Sequence, residues 1–201
     1  TIPNDFISKN VKILQSGEKV SGGKRPNIID EQTPWKNMLL AAEQSMFGSS
    51  IAAYRNADKP RYVSSIFHGM YSREVYDTVG FYDTRLARTE DNDMSERISK
   101  AGYKLHYDPE IVSYQHTRST LKGMLRQKYL NGFWIGRTMG INPHCFSVYH
   151  FVPFVFVLGI LLTSILAVCG HPMLAVLIWS AYVLLILACT VTELILSLIH
   201  I

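Results

Sequence analysis

Thr89-Glu90-Asp91-Asn92-Asp93 sets three carboxylates within four residues, between the turn Gly80-Phe81-Tyr82-Asp83 and a short helical pattern. Met94, Ile98 and Ala101 recur at helical spacing, and Gly102 stands where a helix would end. Thr89 suits the N-cap, so the carboxylates would crowd a first turn whose free N–H groups and dipole favour negative charge. That placement predicts a lowered carboxyl pKa, hence an ionised Asp91. An ionised carboxylate at the mouth of a cleft can take a proton from an incoming hydroxyl. The plainer alternative is an acidic first turn that only caps its helix.

Working outward, strands and helices alternate, which points to an α/β domain. Pro3–Gln15 reads as a helix and Lys19-Val20-Ser21 as a short strand. Gly22-Gly23-Lys24-Arg25-Pro26-Asn27 follows as a loop. There a glycine pair beside two cations lets backbone approach a phosphate or sugar, or else simply forms a surface loop. Thr33-Pro34 opens a second helix that Gly48 closes, with Trp35, Met38, Leu39, Ala42 and Met46 as its core stripe and Glu43 as surface.

Arg61–Phe67 is expected to be a strand ending at His68-Gly69, where Gly69 permits a ligand against backbone or marks a bend. Ser72–Val79 reads as a helix ended by Gly80. Beyond the acidic stretch, Tyr103–Tyr107 and Ile111–His116 read as two strands around an Asp108-Pro109 turn. His116 is a candidate metal ligand or phosphate contact, or a structural histidine. Ser119 then caps an amphipathic helix with Leu121, Met124, Leu125, Tyr129 and Phe133 on one side and Lys122, Arg126 and Lys128 on its other surfaces.

Charge distribution organises the rest. Of 201 residues with net charge +4, none between Arg137 and Glu193 is Asp, Glu, Lys or Arg. Gly170-His171-Pro172 interrupts this run. A span needs about 20 apolar residues, so the run divides into two, Val148–Cys169 and Met173–Ser197, as a membrane hairpin rather than a buried pair of core helices. Arg118, Lys122, Arg126, Lys128 and Arg137 precede the first span, and no acidic residue lies between Glu110 and Glu193. By the positive-inside rule the polar part is cytoplasmic, at the inner or plasma membrane. Basic residues gathered beside the membrane favour anionic lipid over nucleic acid as the partner of that surface. Cys145, Cys169 and Cys189 form no close-spaced metal or redox motif, and no disulfide is expected. Thr1 is not an initiator and Ile201 interrupts an apolar run, so a fragment is expected.

Several stretches together resemble the inverting family 2 glycosyltransferases, most closely the membrane-anchored enzymes of succinoglycan-type exopolysaccharide synthesis. They are Ser21-Gly22-Gly23-Lys24-Arg25-Pro26, Ala42-Glu43-Gln44-Ser45, Phe67-His68-Gly69, Val79-Gly80-Phe81-Tyr82-Asp83 and Thr89-Glu90-Asp91-Asn92-Asp93. Arg97, Ala101-Gly102-Tyr103 and Asp108-Pro109-Glu110 extend the likeness over most of residues 1–140. The resemblance implies a partial GT-A (Rossmann-like) domain with a mixed sheet over residues 1–117. An interfacial helix and linker would occupy 118–147 and two transmembrane helices 148–201.

By resemblance, Asp91 is the general base that deprotonates an acceptor hydroxyl, and Glu90 and Asp93 position the acceptor or support Asp91. Gly69, His68, Arg97, Arg118 and Gln127 are further candidate substrate contacts, while Gly22, Gly23, Lys24 and Arg25 lie on the donor-phosphate side. The family implies a divalent metal, Mg²⁺ or Mn²⁺, held by a DxD-type motif expected upstream of this chain. The implied donor is a nucleotide sugar, taken to be a UDP-sugar, and the acceptor a polyprenyl-diphosphate-linked saccharide. Processive members carry Gln-x-x-Arg-Trp on the interfacial helix. Arg126-Gln127-Lys128-Tyr129-Leu130 lacks the Arg-Trp pair, which favours transfer of a single sugar. The competing expectation is a non-catalytic, membrane-anchored module that binds anionic lipid or a partner.

Overall fold

The computed structural model describes residues 1–45, 57–146 and 148–199. They fall into two compact units, Thr1–Cys145 and Phe146–Ile201. In the first unit the order is α1 (Phe6–Gln15), β1 (Val20–Lys24), β2 (Asn27–Ile28), α2 (Pro34–Gln44), β3 (Arg61–Val63), β4 (Met70–Tyr71), α3 (Arg73–Val79), α4 (Glu90–Lys100), β5 (Leu105–Val112), β6 (Gln115–His116) and α5 (Leu121–Met139). A mixed four-stranded sheet runs β3-β5-β1-β4, and β2 pairs with β6 apart from it. Within the sheet β1 is parallel to β5 and antiparallel to β4, while β3 is antiparallel to β5.

The α/β expectation with a mixed sheet therefore holds. Its core gathers Val20, Ile66, Tyr71, Val75, Met94, Ile98 and Leu105, so α3 is fastened to the sheet by Val75 and α4 by Met94 and Ile98, while Ala101 of the expected stripe is exposed. Asn10 is fully buried inside α1, and its side-chain oxygen accepts a hydrogen bond from Ser21 at 2.7 Å, which ties that helix to β1.

Several local expectations give way to tertiary context. The glycine pair is not in a loop: Gly22 and Gly23 lie within β1, between β5 and β4. A Cβ on Gly23 would fall 1.9 Å from the Ile111 carbonyl oxygen, and one on Gly22 would fall 2.3 Å from Ile66 Cγ2. The backbone these residues let approach is the protein's own.

Asp108-Pro109 does not divide two strands, because β5 runs through it. The pairing with β1 jumps there from Gly23–Asp108 to Lys24–Val112, and this irregularity accommodates a proline that cannot donate to the ladder. Only Arg61–Val63 of the expected Arg61–Phe67 strand is paired. Thr33 caps α2 as expected, accepting from the Lys36 N–H at 3.3 Å. Of the stripe on that helix, however, Leu39 is buried while Trp35 and Met38 are exposed. Met46 and Gly48 lie outside the described residues. Glu43, expected at the surface, is buried and meets Lys128 of α5 at 2.7 Å. Thr120 rather than Ser119 caps α5, accepting from the Gly123 N–H at 3.1 Å.

In the second unit, a short 3₁₀ turn (Val148–Phe151) leads into α6 (Val152–Val168), and α7 spans Met173–Ile199. Within α7, Met173–Thr192 is long and apolar enough to cross a membrane. At 17 residues α6 is apolar but shorter, because the expected span loses its first turn to the 3₁₀ segment. Gly170, at φ +92°, makes the reversal between them.

Candidate active site

The first turn of α4 carries Glu90, Asp91 and Asp93, and Gly102 closes the helix at φ +87°. Thr89 occupies the N-cap position but makes no side-chain cap. Its hydroxyl instead bonds the hydroxyl of Thr138 on α5 at 2.6 Å, in a buried setting. One Asp91 oxygen accepts the Asn92 N–H at 2.9 Å.

The expected lowering of the Asp91 pKa is reversed. Burial, then the charge of Glu90, push it from 3.8 up to about 6, outweighing the backbone hydrogen bonds and the Arg25 charge that lower it. Desolvation outweighs the helix-terminal N–H groups even though Asp91 is only partly buried and keeps some contact with solvent. Glu90 adds to this: its Oε2 is buried with no hydrogen-bond partner among the described residues.

Near Asp91 the structure collects groups that follow β1 and precede β4. Arg25, just past the end of β1, lays its guanidinium 3.4 Å from the centroid of the Phe67 ring. The adjacent His68 has φ +53°, and burial and the Arg25 charge lower its pKa, which favours the neutral ring. Gly69 fits where a Cβ would fall 2.9 Å from both Ile66 Cγ2 and the Tyr71 hydroxyl. Burial above all, then Tyr82, raises the Tyr71 pKa, with the charge of Asp91 contributing too. Tyr82 donates a long 3.5 Å hydrogen bond to the Tyr71 hydroxyl. Asp91, Glu90, Arg25, His68 and Gly69 thus share one neighbourhood with Tyr71, a residue that sequence inspection did not single out.

Other candidates sit elsewhere. Asp93 points nearly opposite to Asp91, as two residues along a helix require. It is buried, pairs with Arg97 Nε at 2.9 Å and accepts from the Asn142 side chain at 2.8 Å. Arg97 also donates to the carbonyls of Val79 and Phe81, so it pins the Gly80 turn to α4. Both residues are engaged by protein in this structure. They border a polar recess of about 530 Å³ that also includes Asp83, Arg85, Glu96 and Asn142. In that recess Arg85 holds the Asp83 carboxyl down at about 2.

Lys24 reaches Asp58 at 3.3 Å. Arg118 and Gln127, predicted separately, hydrogen-bond each other at 2.8 Å. His116 has both ring nitrogens engaged, one with Asp30 and the other with the Thr1 hydroxyl at 2.8 Å. Among the described residues no three His, Cys, Asp or Glu side chains converge to hold a metal ion. In this structure the His116 ring is engaged by protein on both sides.

On α5, Leu121, Leu125, Tyr129 and Phe133 follow at four-residue intervals and are all exposed. Lys122 and Arg126 flank that stripe. The buried face carries Met124 and Thr138, while exposed Asn131 accepts from Arg88 at 3.0 Å. The helix departs from the expected stripe at Met124, which is buried while Leu121, Leu125, Tyr129 and Phe133 are exposed.

Comparison with known proteins adds a family. Residues 14–199 match the family model for glycosyl transferase family group 2. The chain is 25% identical over 171 residues to a dolichyl N-acetyl-α-D-glucosaminyl phosphate 3-β-D-2,3-diacetamido-2,3-dideoxy-β-D-glucuronosyltransferase of Methanococcus voltae, covering 81% of this chain and 52% of that protein. It is 21% identical over 148 residues to the succinoglycan biosynthesis protein ExoA of Rhizobium meliloti (strain 1021), covering 72% of this chain and 43% of that protein. The chain thus spans about half the length of these curated relatives. No solved structure gives a significant match.

Proposed function

The chain belongs to glycosyl transferase family group 2, and from that membership we propose that it forms the acceptor-side part of a membrane-bound inverting glycosyltransferase. This enzyme moves a sugar from a nucleotide sugar onto a lipid-linked saccharide in polysaccharide synthesis. Asp91 is its general base. As the acceptor oxygen bonds to the anomeric carbon, the bond from that carbon to the nucleoside diphosphate breaks. The acceptor's proton passes to Asp91.

One observation carries the assignment: Asp91 lies within electrostatic reach of Arg25 and Tyr71, with its pKa raised to about 6. At neutral pH such a group is still largely ionised. It is a stronger base than an exposed carboxylate, because proton affinity and proton-transfer driving force rise together. Arg25, whose charge acts on both Asp91 and His68, supplies the positive side of the site, toward which the departing diphosphate would be drawn. Arg118 and Gln127, paired near the start of α5, are the contacts proposed for the acceptor's diphosphate.

The membrane supplies the acceptor. Helix α7 is the span, and α6, about 26 Å long at 1.5 Å per residue, is the shorter arm of a hairpin. The exposed apolar stripe of α5, flanked by Lys122 and Arg126, lies along anionic headgroups on the cytoplasmic side, where a polyprenyl-diphosphate acceptor presents its sugar.

The test uses native membranes bearing the intact protein, a panel of radiolabelled nucleotide sugars led by UDP-sugars, and a lipid-linked acceptor. Label should enter the lipid extract, and Asp91→Asn should lower the rate by about 10²- to 10⁴-fold. An unchanged rate for the variant overturns Asp91 as base. No transfer by the parent from any donor supports a non-catalytic membrane module instead.

A further inference from the structure

We propose that Thr138 and Asn142, at the end of α5, are positioning residues that hold the first turn of α4 and thereby set the direction of the Asp91 carboxylate. The inference rests on Asp91 being the base. It starts from an imbalance of partners. Among the described residues the Asp91 carboxylate is hydrogen-bonded only by backbone N–H groups of its own turn, Asn92 at 2.9 Å among them, and such local bonds do not fix the turn in space. The residues two before and two after it are held from outside their helix.

The Thr89 and Thr138 hydroxyls are bonded to each other at 2.6 Å, Thr89 makes no side-chain bond to its own helix, and Thr138 is completely buried. The Asn142 amide donates to Asp93 at 2.8 Å and to Glu96 at 3.2 Å. Asn142 is itself locked to α5, since its N–H donates to the Thr138 carbonyl at 2.8 Å. A single segment of five residues therefore grips α4 on both sides of Asp91. A threonine at an N-cap position ordinarily satisfies the free N–H groups of its own first turn. Here that role is given up for a contact 49 residues away, as expected if placement of the turn matters more than capping it.

The outer face of the same helix is the apolar stripe proposed to lie on lipid. Seating of α5 and orientation of the base are therefore mechanically one event. A misplacement of about 1 Å at a reacting group costs on the order of 10²-fold in rate. Loss of the Thr138 hydroxyl should accordingly appear in kcat and leave acceptor binding largely alone.

The experiment compares Thr138→Val, Thr138→Ser and the double variant Thr89→Val/Thr138→Val in the intact, membrane-inserted protein, with Asp91→Asn alongside. Thr138→Val is expected to lower kcat by about 10- to 100-fold with acceptor KM within about twofold. Thr138→Ser should restore most of the rate. The double variant should be no slower than Thr138→Val, because both substitutions remove one interaction. Equal losses in the valine and serine variants, a change in KM with kcat preserved, or parental kcat for Thr138→Val each overturn the inference while Asp91→Asn is inactive. If Thr138→Val fails to accumulate, Asn142→Ala reads the other side of the grip by the same split between kcat and KM. Parental turnover by Asp91→Asn removes the base assignment and this inference with it.

Discussion

Replacing Asp91 by Asn should make the folded protein more stable at neutral pH while disabling it. In the folded chain the Asp91 carboxyl holds its proton up to about pH 6, against an ordinary value of 3.8. A carboxyl whose pKa is raised on folding loses stability as pH climbs. The unfolded chain releases the proton first, and above the folded value the native state carries a charge it solvates poorly. At about 1.4 kcal/mol for each tenfold change in proton affinity, the move from 3.8 to about 6 corresponds to ~3 kcal/mol. That penalty is fully present above pH 6 and absent below pH 4. The Asn92 hydrogen bond and the Arg25 charge are already included in it.

Asn is nearly isosteric and uncharged, so it removes the penalty without opening a cavity. For a chain of this size ~3 kcal/mol corresponds to a rise of about 6–12 °C in Tm. The assay is thermal unfolding of the detergent-solubilised protein and its Asp91→Asn variant from pH 4 to pH 8. The gap should be widest at pH 7 to 8 and should close toward pH 4. A variant that melts at or below the parent at pH 7.5, or a gap independent of pH, refutes the buried, desolvated carboxylate.

Three further outcomes follow from the same geometry. Gly23→Ala, which places a Cβ 1.9 Å from a β5 carbonyl, should cost about 3 kcal/mol or more and lower the yield of folded protein, as read by thermal melts. Glu43→Ala removes the 2.7 Å ion pair between a buried carboxylate and Lys128 and should destabilise by about 1.5–3 kcal/mol, read by thermal melts. In a background lacking Cys145, Cys169 and Cys189, a fluorophore at Tyr129→Cys should be quenched by brominated lipid, and one at Lys100→Cys should not. Equal quenching at both sites removes the proposed seat of α5 on the bilayer.

What the sequence revealed and what it hid divide along the range of the interactions involved. The bounds of α4, the glycine turns at Gly80 and Gly102 and the charge-free run after Arg137 are set by neighbours a few residues away, and pattern exposes such features. The apolar stripe of α5 was legible except at Met124, because four-residue spacing encodes a face but not which neighbouring apolar residue is covered by the fold. Glu43 looked like surface because its partner comes from a helix far along the chain. The Thr89–Thr138 bond had no local signal at all: a threonine before acidic residues looks like a cap wherever it occurs.

Gly22 and Gly23 looked like a loop because glycine is commoner there, and only the close flank of β5 shows why a central strand carries them. The sign of the Asp91 shift depended on burial, which outweighs the local dipole once the helix is packed. Residues that hold the site were thus hidden, while those proposed to perform its chemistry were visible, because sequence motifs mark reacting groups and not their supports.

The most direct measurement of the central claim is kcat/KM for the acceptor as a function of pH, for sugar transfer by the intact protein. With Asp91 as a base whose pKa lies at about 6, the rate should be flat from pH 7 to 8. It should fall tenfold for each pH unit below the midpoint near 6, with that limb lost in Asp91→Asn. A rate unchanged down to pH 4.5, or the same acid limb in the variant, would contradict it.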